Sequence, residues 1–154
     1  YVGGVAGYSG YLDVFDSQVE GKLTNNGQYT GGLSGYYSGG KYNRVYSNVA
    51  VNGVDNIHIN ALFGYSYFSQ VEDDSFKDVY WNSELSGKTY SSYYYIGSSN
   101  EEGNADSSNP IAGKHLSLEE IKNETTYEDW DFTSIWKFEN NGPKLREELH
   151  SISN

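Results

Sequence analysis

A short block, Gly4-Val5-Ala6-Gly7-Tyr8, returns 28 residues later as Gly32-Leu33-Ser34-Gly35-Tyr36 and, weakened, a further 29 residues on as Ala61-Leu62-Phe63-Gly64-Tyr65. A unit of that length is too short to close a core of its own and must bury its apolar face against its neighbours. A second landmark travels with the first: Val14-Phe15-Asp16-Ser17-Gln18-Val19-Glu20-Gly21 is matched to Val45 through Gly53 with one extra residue, and Val79-Tyr80-Trp81-Asn82 with Leu85-Ser86-Gly87 forms a third copy. Between the glycines the local pattern is strand-like. Val45, Val49 and Val51 are β-branched and nearly alternate, Ile57-His58-Ile59 alternates apolar with polar, and Tyr93-Tyr94-Tyr95-Ile96 favours strand. Helical periodicity is absent before residue 115. Short strands, glycine turns and a fixed period predict coils stacked about 4.8 Å apart.

The chain divides unevenly. Residues 1–97 are expected to form the repeats, about three coils plus a divergent one. Residues 98–114 read as a polar loop rich in Ser, Asn, Gly and acids. Residues 115–154 read as a capping segment that covers the apolar face and strand edges of the last coil. Within it, Ser117-Leu118-Glu119-Glu120 has the form of a capping box and predicts a short helix at 117–123. Trp130, Phe132, Ile135, Trp136 and Phe138 form an aromatic cluster of strand-like character. Pro143 stands where a helix could begin, with Leu145, Leu149 and Ile152 on one face.

Charge narrows the partners. Residues 1–70 carry four acids and three bases, whereas residues 71–154 carry 17 acids and seven bases, for a total of −11. Such a chain repels phosphate backbones and anionic membrane surfaces, so nucleic acid is not expected as a partner. No apolar run approaches the roughly 18 residues of a membrane span. Zero Cys removes disulfides, thiolate metal sites and cysteine nucleophiles, and fits export. The first residue is Tyr1, so the chain is expected to be part of a longer one.

The blocks at Gly4–Gly7, Gly32–Gly35 and Ala61–Gly64 resemble the GLUG motif of bacterial secreted and surface proteins, with Gly39-Gly40 and Ser47-Asn48 standing where that motif continues. The stretch from Leu116 to Leu145, with Tyr127, Trp130-Asp131-Phe132, Trp136 and Pro143-Lys144-Leu145, is similar to the segment that often follows such repeats. Ala61 replaces the first glycine of the third block, and no clear fourth block exists. The resemblance implies an all-β fold, a right-handed parallel β-helix (β-solenoid) with a small mixed C-terminal cap. It further implies a large exported protein of adhesin type, or the non-catalytic region of an immunoglobulin A-cleaving metallopeptidase. It carries over no catalytic residue and no cofactor.

The residues themselves are consistent with a non-enzyme. His58, His115 and His150 share no metal-ligand spacing, and H-E-x-x-H is missing. Gly35 to Lys41 spells G-x-x-x-x-G-K, but Tyr42 replaces the hydroxyl residue that a phosphate loop needs. Asp73-Asp74 and Glu101-Glu102 with Asn104 and Asp106 offer oxygen ligands for Ca²⁺, without EF-hand spacing. They read first as solvated acidic loops. The tyrosines invite two readings. Tyr36-Tyr37 or Tyr90–Tyr95 as exposed platforms would meet a host glycan or protein. Tyr8, Tyr36 and Tyr65, recurring in phase, are expected instead to stack into an internal ladder. Three roles follow: a secreted or cell-surface binding module, an accessory domain of a large extracellular enzyme (peptidase or glycan-active), or a structural stalk.

Overall fold

The computed structural model describes residues 1–26, 28–54, 58–68, 75–105 and 113–147. It is a β-solenoid of three coils and the start of a fourth. The first coil runs through β1 (Val2–Gly3), β2 (Ala6–Ser9) and β3 (Val14–Asn25). The second repeats this as β4 (Thr30–Gly31), β5 (Ser34–Tyr37) and β6 (Tyr42–Gly53). The third has β7 (Ile59–Asn60), β8 (Phe63–Phe68) and β9 (Phe76–Asn82), followed by a one-turn helix α1 (Ser83–Ser86). The last coil contributes β10 (Ser92–Ile96), β11 (Glu101–Ala105) and β12 (Lys114–Leu116). The strands assemble into a short sheet β1-β4-β7 and two longer ones, β2-β5-β8-β10-β11 and β3-β6-β9-β12. Every pairing in them is parallel except β10 with β11.

The repeated glycine block forms the corner before the second strand of each coil. Val5 N donates to Leu33 O (2.8 Å), Leu33 N to Leu62 O (2.8 Å) and Leu62 N to Ser91 O (3.0 Å), so the corners stack through their backbones. Leu33 and Leu62 point inward and are fully buried. Glycine is needed because the corner touches the coil below: a Cβ on Gly64 would stand 2.6 Å from Gly35 O and 2.8 Å from Tyr29 C. The fourth corner keeps the hydrogen bonds but carries Tyr90-Ser91-Ser92 in place of glycine and leucine, which hides it from a motif search.

Inside, the coils alternate in size. Ser9, Tyr37, Ser66 and Tyr94 lie in register, small over large. The serine hydroxyls satisfy each other, Ser9 Oγ to Ser34 Oγ at 3.1 Å and Ser66 Oγ to Ser92 Oγ at 2.7 Å. Tyr37 packs in turn with Tyr42, Phe63 and Phe76, the ring centroids of the four lying 5.0–6.0 Å apart.

On β3, β6 and β9 three non-glycine residues adopt left-handed backbone, Asp16 (φ 44), Arg44 (φ 53) and Asp78 (φ 54). The ladder skips all three, so they form one bulge repeated from coil to coil. Their charges alternate as acid, base, acid. Arg44 holds Asp16 through two bonds, Nε to Oδ1 at 2.6 Å and Nη2 to Oδ2 at 2.8 Å.

The structure corrects four expectations. Val14 pairs with Tyr42 and Ser17 with Val45, so the second landmark keeps the 28-residue step and needs no extra residue. Its third copy holds at Val45–Val79, but Leu85 and Ser86 belong to helix α1, not to a strand. Glu101–Ala105, placed in the polar loop, is a strand that folds back antiparallel on β10. Pro143 opens no helix: β13 (Trp136–Glu139) and β14 (Gly142–Leu145) form a hairpin in which Gly142 and Pro143 are buried, Gly142 against Ile121 and Tyr127. Leu149 and Ile152 lie outside the described residues.

The C-terminal segment begins as expected, with α2 (Leu118–Ile121) closed by a capping box between Ser117 and Glu120. A 3-10 turn follows at Glu124–Tyr127. Its position differs from a cover over the last coil. The segment lies along the outer side of β3-β6-β9-β12, where Tyr46, Tyr80 and Leu116 pack on Ile121, Tyr127, Trp130 and Trp136. At the far end it reaches the first coil: Lys144 Nζ pairs with Glu20, Leu145 N donates to Gln18 Oε1 (3.2 Å) and Trp136 Nε1 donates to Asp16 Oδ1 (3.4 Å). Outward tyrosines on two successive rungs leave an apolar sheet face, and the strap buries it.

Two outcomes follow for stability. Gly64→Ala, which drives a methyl into backbone atoms, lowers unfolding free energy in urea by about 2–3 kcal/mol or more, whereas Gly103→Ala, whose nearest neighbour is 3.7 Å away, stays within about 0.5 kcal/mol. Acid loosens the strap. The Arg44 guanidinium beside Asp16 holds its carboxyl below the usual range, and the Ser117 backbone N–H, with Lys114, holds Glu120 down at about 2. A depressed folded pKa stabilises fully above the unfolded value, about 4, and the gain is lost as pH falls through the folded value. Near-ultraviolet circular dichroism from Trp130 and Trp136 therefore fades below about pH 4, and the stability gap between wild type and Arg44→Ala shrinks as pH falls.

Candidate functional site

Side chains alternate along a strand, so one residue of phase decides which side faces water. On β5 that phase puts Tyr37 inside and Tyr36 outside. Tyr8, Tyr36, Tyr65 and Tyr93 are in register and form a column on the outer side of the β2-β5-β8-β10 sheet. Successive centroids are 5.3, 5.2 and 6.2 Å apart, with interplanar angles of 17°, 30° and 28°. The ladder expected from sequence therefore exists, but it is external: Tyr8 is 58% exposed, while the interior position beside it is held by Ser9. Tyr93 joins the column 28 residues after Tyr65, a spacing visible in the sequence once the corner motif is no longer required.

Two further columns flank the first. On the corner side Tyr1 stacks on Tyr29 (5.2 Å), and Tyr29 meets His58 (4.7 Å), whose ring also contacts Tyr93 (5.5 Å). On the other side Tyr67 stacks on Tyr95 at 5.8 Å and 28°. Nine rings thus share one face. Burial, then the neighbouring phenols of Tyr36 and Tyr29, push Tyr65 up to about 12, and burial, then the phenols of Tyr8 and Tyr1, raise Tyr36. Glu102, paired with Tyr95, sets a carboxylate at the edge of this face. Because stacked rings cover each other, the middle of the column offers edges and hydroxyls rather than open π faces. Tyr8 Oη bonds Ser38 Oγ at 2.9 Å, and Tyr95 Oη donates to Asn100 Oδ1 at 2.8 Å.

The other sequence candidates do not assemble. His58 points outward into the tyrosine face, and His115 packs edge-on to Trp81 at 5.7 Å. Gly35 to Lys41 forms β5 and the corner after it, with no helix following, and Lys41 N donates to Asp13 Oδ1 at 2.7 Å. Glu101 and Glu102 lie on β11, where Glu101 accepts a bond from Tyr94 Oη at 2.9 Å. Asp73, Asp74, Asp106 and His150 lie outside the described residues. Among the described residues no three His, Asp or Glu side chains come together as a metal set, and no helix is long and apolar enough to cross a membrane. A scan of protein-family models, a search of curated proteins and a search of solved structures each found no match.

The raised phenols have a measurable consequence. Unfolded tyrosines ionise near pH 10, so above that pH the unfolded state gains charge first and folding weakens. In a spectrophotometric titration fewer than the full 16 tyrosines ionise near pH 10; Tyr65 follows only around 12, and Tyr46 and Tyr127, raised further by burial, ionise on unfolding.

Proposed function

We propose that the chain is a non-catalytic binding module of a secreted or cell-surface bacterial protein, and that it meets a host glycan or protein through the tyrosine face. The observation that carries this reading is the outward phase of the tyrosines: nine aromatic rings occupy one partly exposed face of a chain whose net charge is −11. Tyrosine offers large contact area at low entropic loss together with a hydroxyl, which is why interfaces and paratopes favour it. An exposed aromatic patch of this extent on a rigid scaffold points to a partner. The resemblance to GLUG-motif proteins supports the same setting. The module role also fits an accessory domain of a larger extracellular enzyme, where the same face would hold the substrate.

The test is a printed glycan array and a panel of immobilised host extracellular proteins, probed with the intact chain and with the double variant Tyr36→Ser/Tyr65→Ser. Binding to at least one probe, weakened tenfold or more in the double variant while thermal unfolding stays cooperative, is the expected result. No binding to any probe, or binding indifferent to the double change, would remove the reading.

A further inference from the structure

The four parallel strands under the tyrosine face carry no charged residue. β2 reads Ala-Gly-Tyr-Ser, β5 Ser-Gly-Tyr-Tyr, β8 Phe-Gly-Tyr-Ser-Tyr-Phe and β10 Ser-Tyr-Tyr-Tyr-Ile. The antiparallel strand beside them, β11, reads Glu-Glu-Gly-Asn-Ala. Its outward rungs are Asn104, opposite Tyr93, and Glu102, opposite Tyr95. Glu102 is exposed, and its charge acts on the Tyr65 phenol. Glu101 turns the other way and accepts Tyr94 Oη at 2.9 Å. At the opposite end, beside Ser38, stand Asp13 and Lys41, which are of opposite sign. Among the described residues the field is therefore aromatic and uncharged, with an unbalanced carboxylate at its β11 border.

The rings offer edges and hydroxyls at a fixed step. The Tyr8 and Tyr95 hydroxyls bond Ser38 and Asn100, whereas among the described residues nothing bonds those of Tyr36 and Tyr65. Rings two coils apart, Tyr8 and Tyr65 or Tyr36 and Tyr93, are separated by about 9.6 Å along the solenoid axis. A polyproline II helix advances about 9.3 Å in each three-residue turn. Residues three apart in such a helix therefore meet equivalent rings, and the four coils span about five of its residues. Its carbonyls have no partner within the helix and can accept phenol hydroxyls. Because it is already extended, it docks on aromatic surfaces with little loss of entropy.

We propose that the tyrosine face docks a polyproline II segment of a protein partner, laid along the solenoid axis, with a Lys or Arg just past its prolines paired to Glu102. The hydroxyl rows hold the segment, and Glu102 sets its direction. The net charge of −11 attracts a basic segment, and the border carboxylate gives that attraction one place to act. The proposal rests on the binding-module reading and names the chemistry of the partner.

Calorimetry of the intact chain with three acetylated peptides tests it: five prolines followed by Arg, five prolines followed by Glu, and a Gly/Ser pentamer followed by Arg. The proline–Arg peptide binds with a sub-millimolar constant. The Glu ending weakens binding at least fivefold, and the Gly/Ser body at least tenfold. Tyr36→Phe/Tyr65→Phe keeps both rings, removes two hydroxyls and weakens binding at least fivefold while thermal unfolding is unchanged. Glu102→Gln abolishes the preference for Arg over Glu, whereas Glu119→Gln on α2, an equal change of net charge, leaves it intact. No binding of the proline–Arg peptide at about 5 mM overturns the proposal. So does equal binding of the Gly/Ser peptide, a Phe variant that binds like wild type, or equal effects of the Glu102 and Glu119 changes. Array or host-protein binding that falls in Tyr36→Ser/Tyr65→Ser, with no proline-peptide binding, overturns this partner chemistry and leaves the module reading standing.

Discussion

Parallel pairing at a constant step governs this molecule. Each coil hands its backbone groups to the next, Val5 to Leu33, Leu33 to Leu62 and Leu62 to Ser91, and buried peptide groups leave no slack in that account. Register is therefore inherited, and every side chain meets the residue one step away. Like then stacks on like. Asn82 Nδ2 donates to Asn48 Oδ1 at 2.9 Å on the outer side of the sheet. The tyrosine column and the repeated bulge arise in the same way, whereas inside the coil Ser9, Tyr37, Ser66 and Tyr94 alternate small with large. A shift of one residue would turn every outward ring inward, so the glycine corners that fix the step also fix the face.

The bulge column shows that stacking copies strain as well as contacts. Left-handed backbone at Asp16, Arg44 and Asp78 costs energy at each coil, yet bending all three strands alike keeps the ladder intact on both sides of the bend. The alternation of acid, base and acid offsets part of that cost through the doubly bonded Asp16–Arg44 pair. Asp16 also accepts Trp136 Nε1 from the strap. One irregularity in the coil thus supplies the polar anchor for a segment 120 residues away in sequence.

The repeat unit, its strand character and the capping box at Ser117 were legible because each is local: a fixed spacing, an alternation, a side chain three residues from its partner. The phase of the tyrosines was not. Tyr36 and Tyr37 are adjacent and chemically identical, and only packing inside the coil, with Ser9 and Ser66 leaving room for Tyr37, decides which turns inward. The second landmark misled for a related reason. Val14 and Val45 look alike, but in the structure Val14 meets Tyr42, because a solenoid conserves position around the coil rather than residue type. The strap's direction was hidden as well. Its partners, Tyr46 and Tyr80, are outward neighbours of residues that read simply as strand. The strand at Glu101–Ala105 was obscured by its polarity, since an edge strand with Glu and Asn exposed has a loop's composition.

These contacts also explain why a binding face would fall where the tyrosines are. The coil has three outer sides. The β1-β4-β7 side is two residues wide in each coil, too narrow for a platform. The β3-β6-β9-β12 side is occupied by the strap, which consumes its apolar rungs. Among the described residues, the β2-β5-β8-β10 side keeps its stacked aromatic rungs open to water. The net charge of −11 opposes non-specific association. Along that side the Tyr8 column runs through all four coils, whereas the outermost column is the Tyr67–Tyr95 pair and stops where the lower coils carry Ser38 and Gly10.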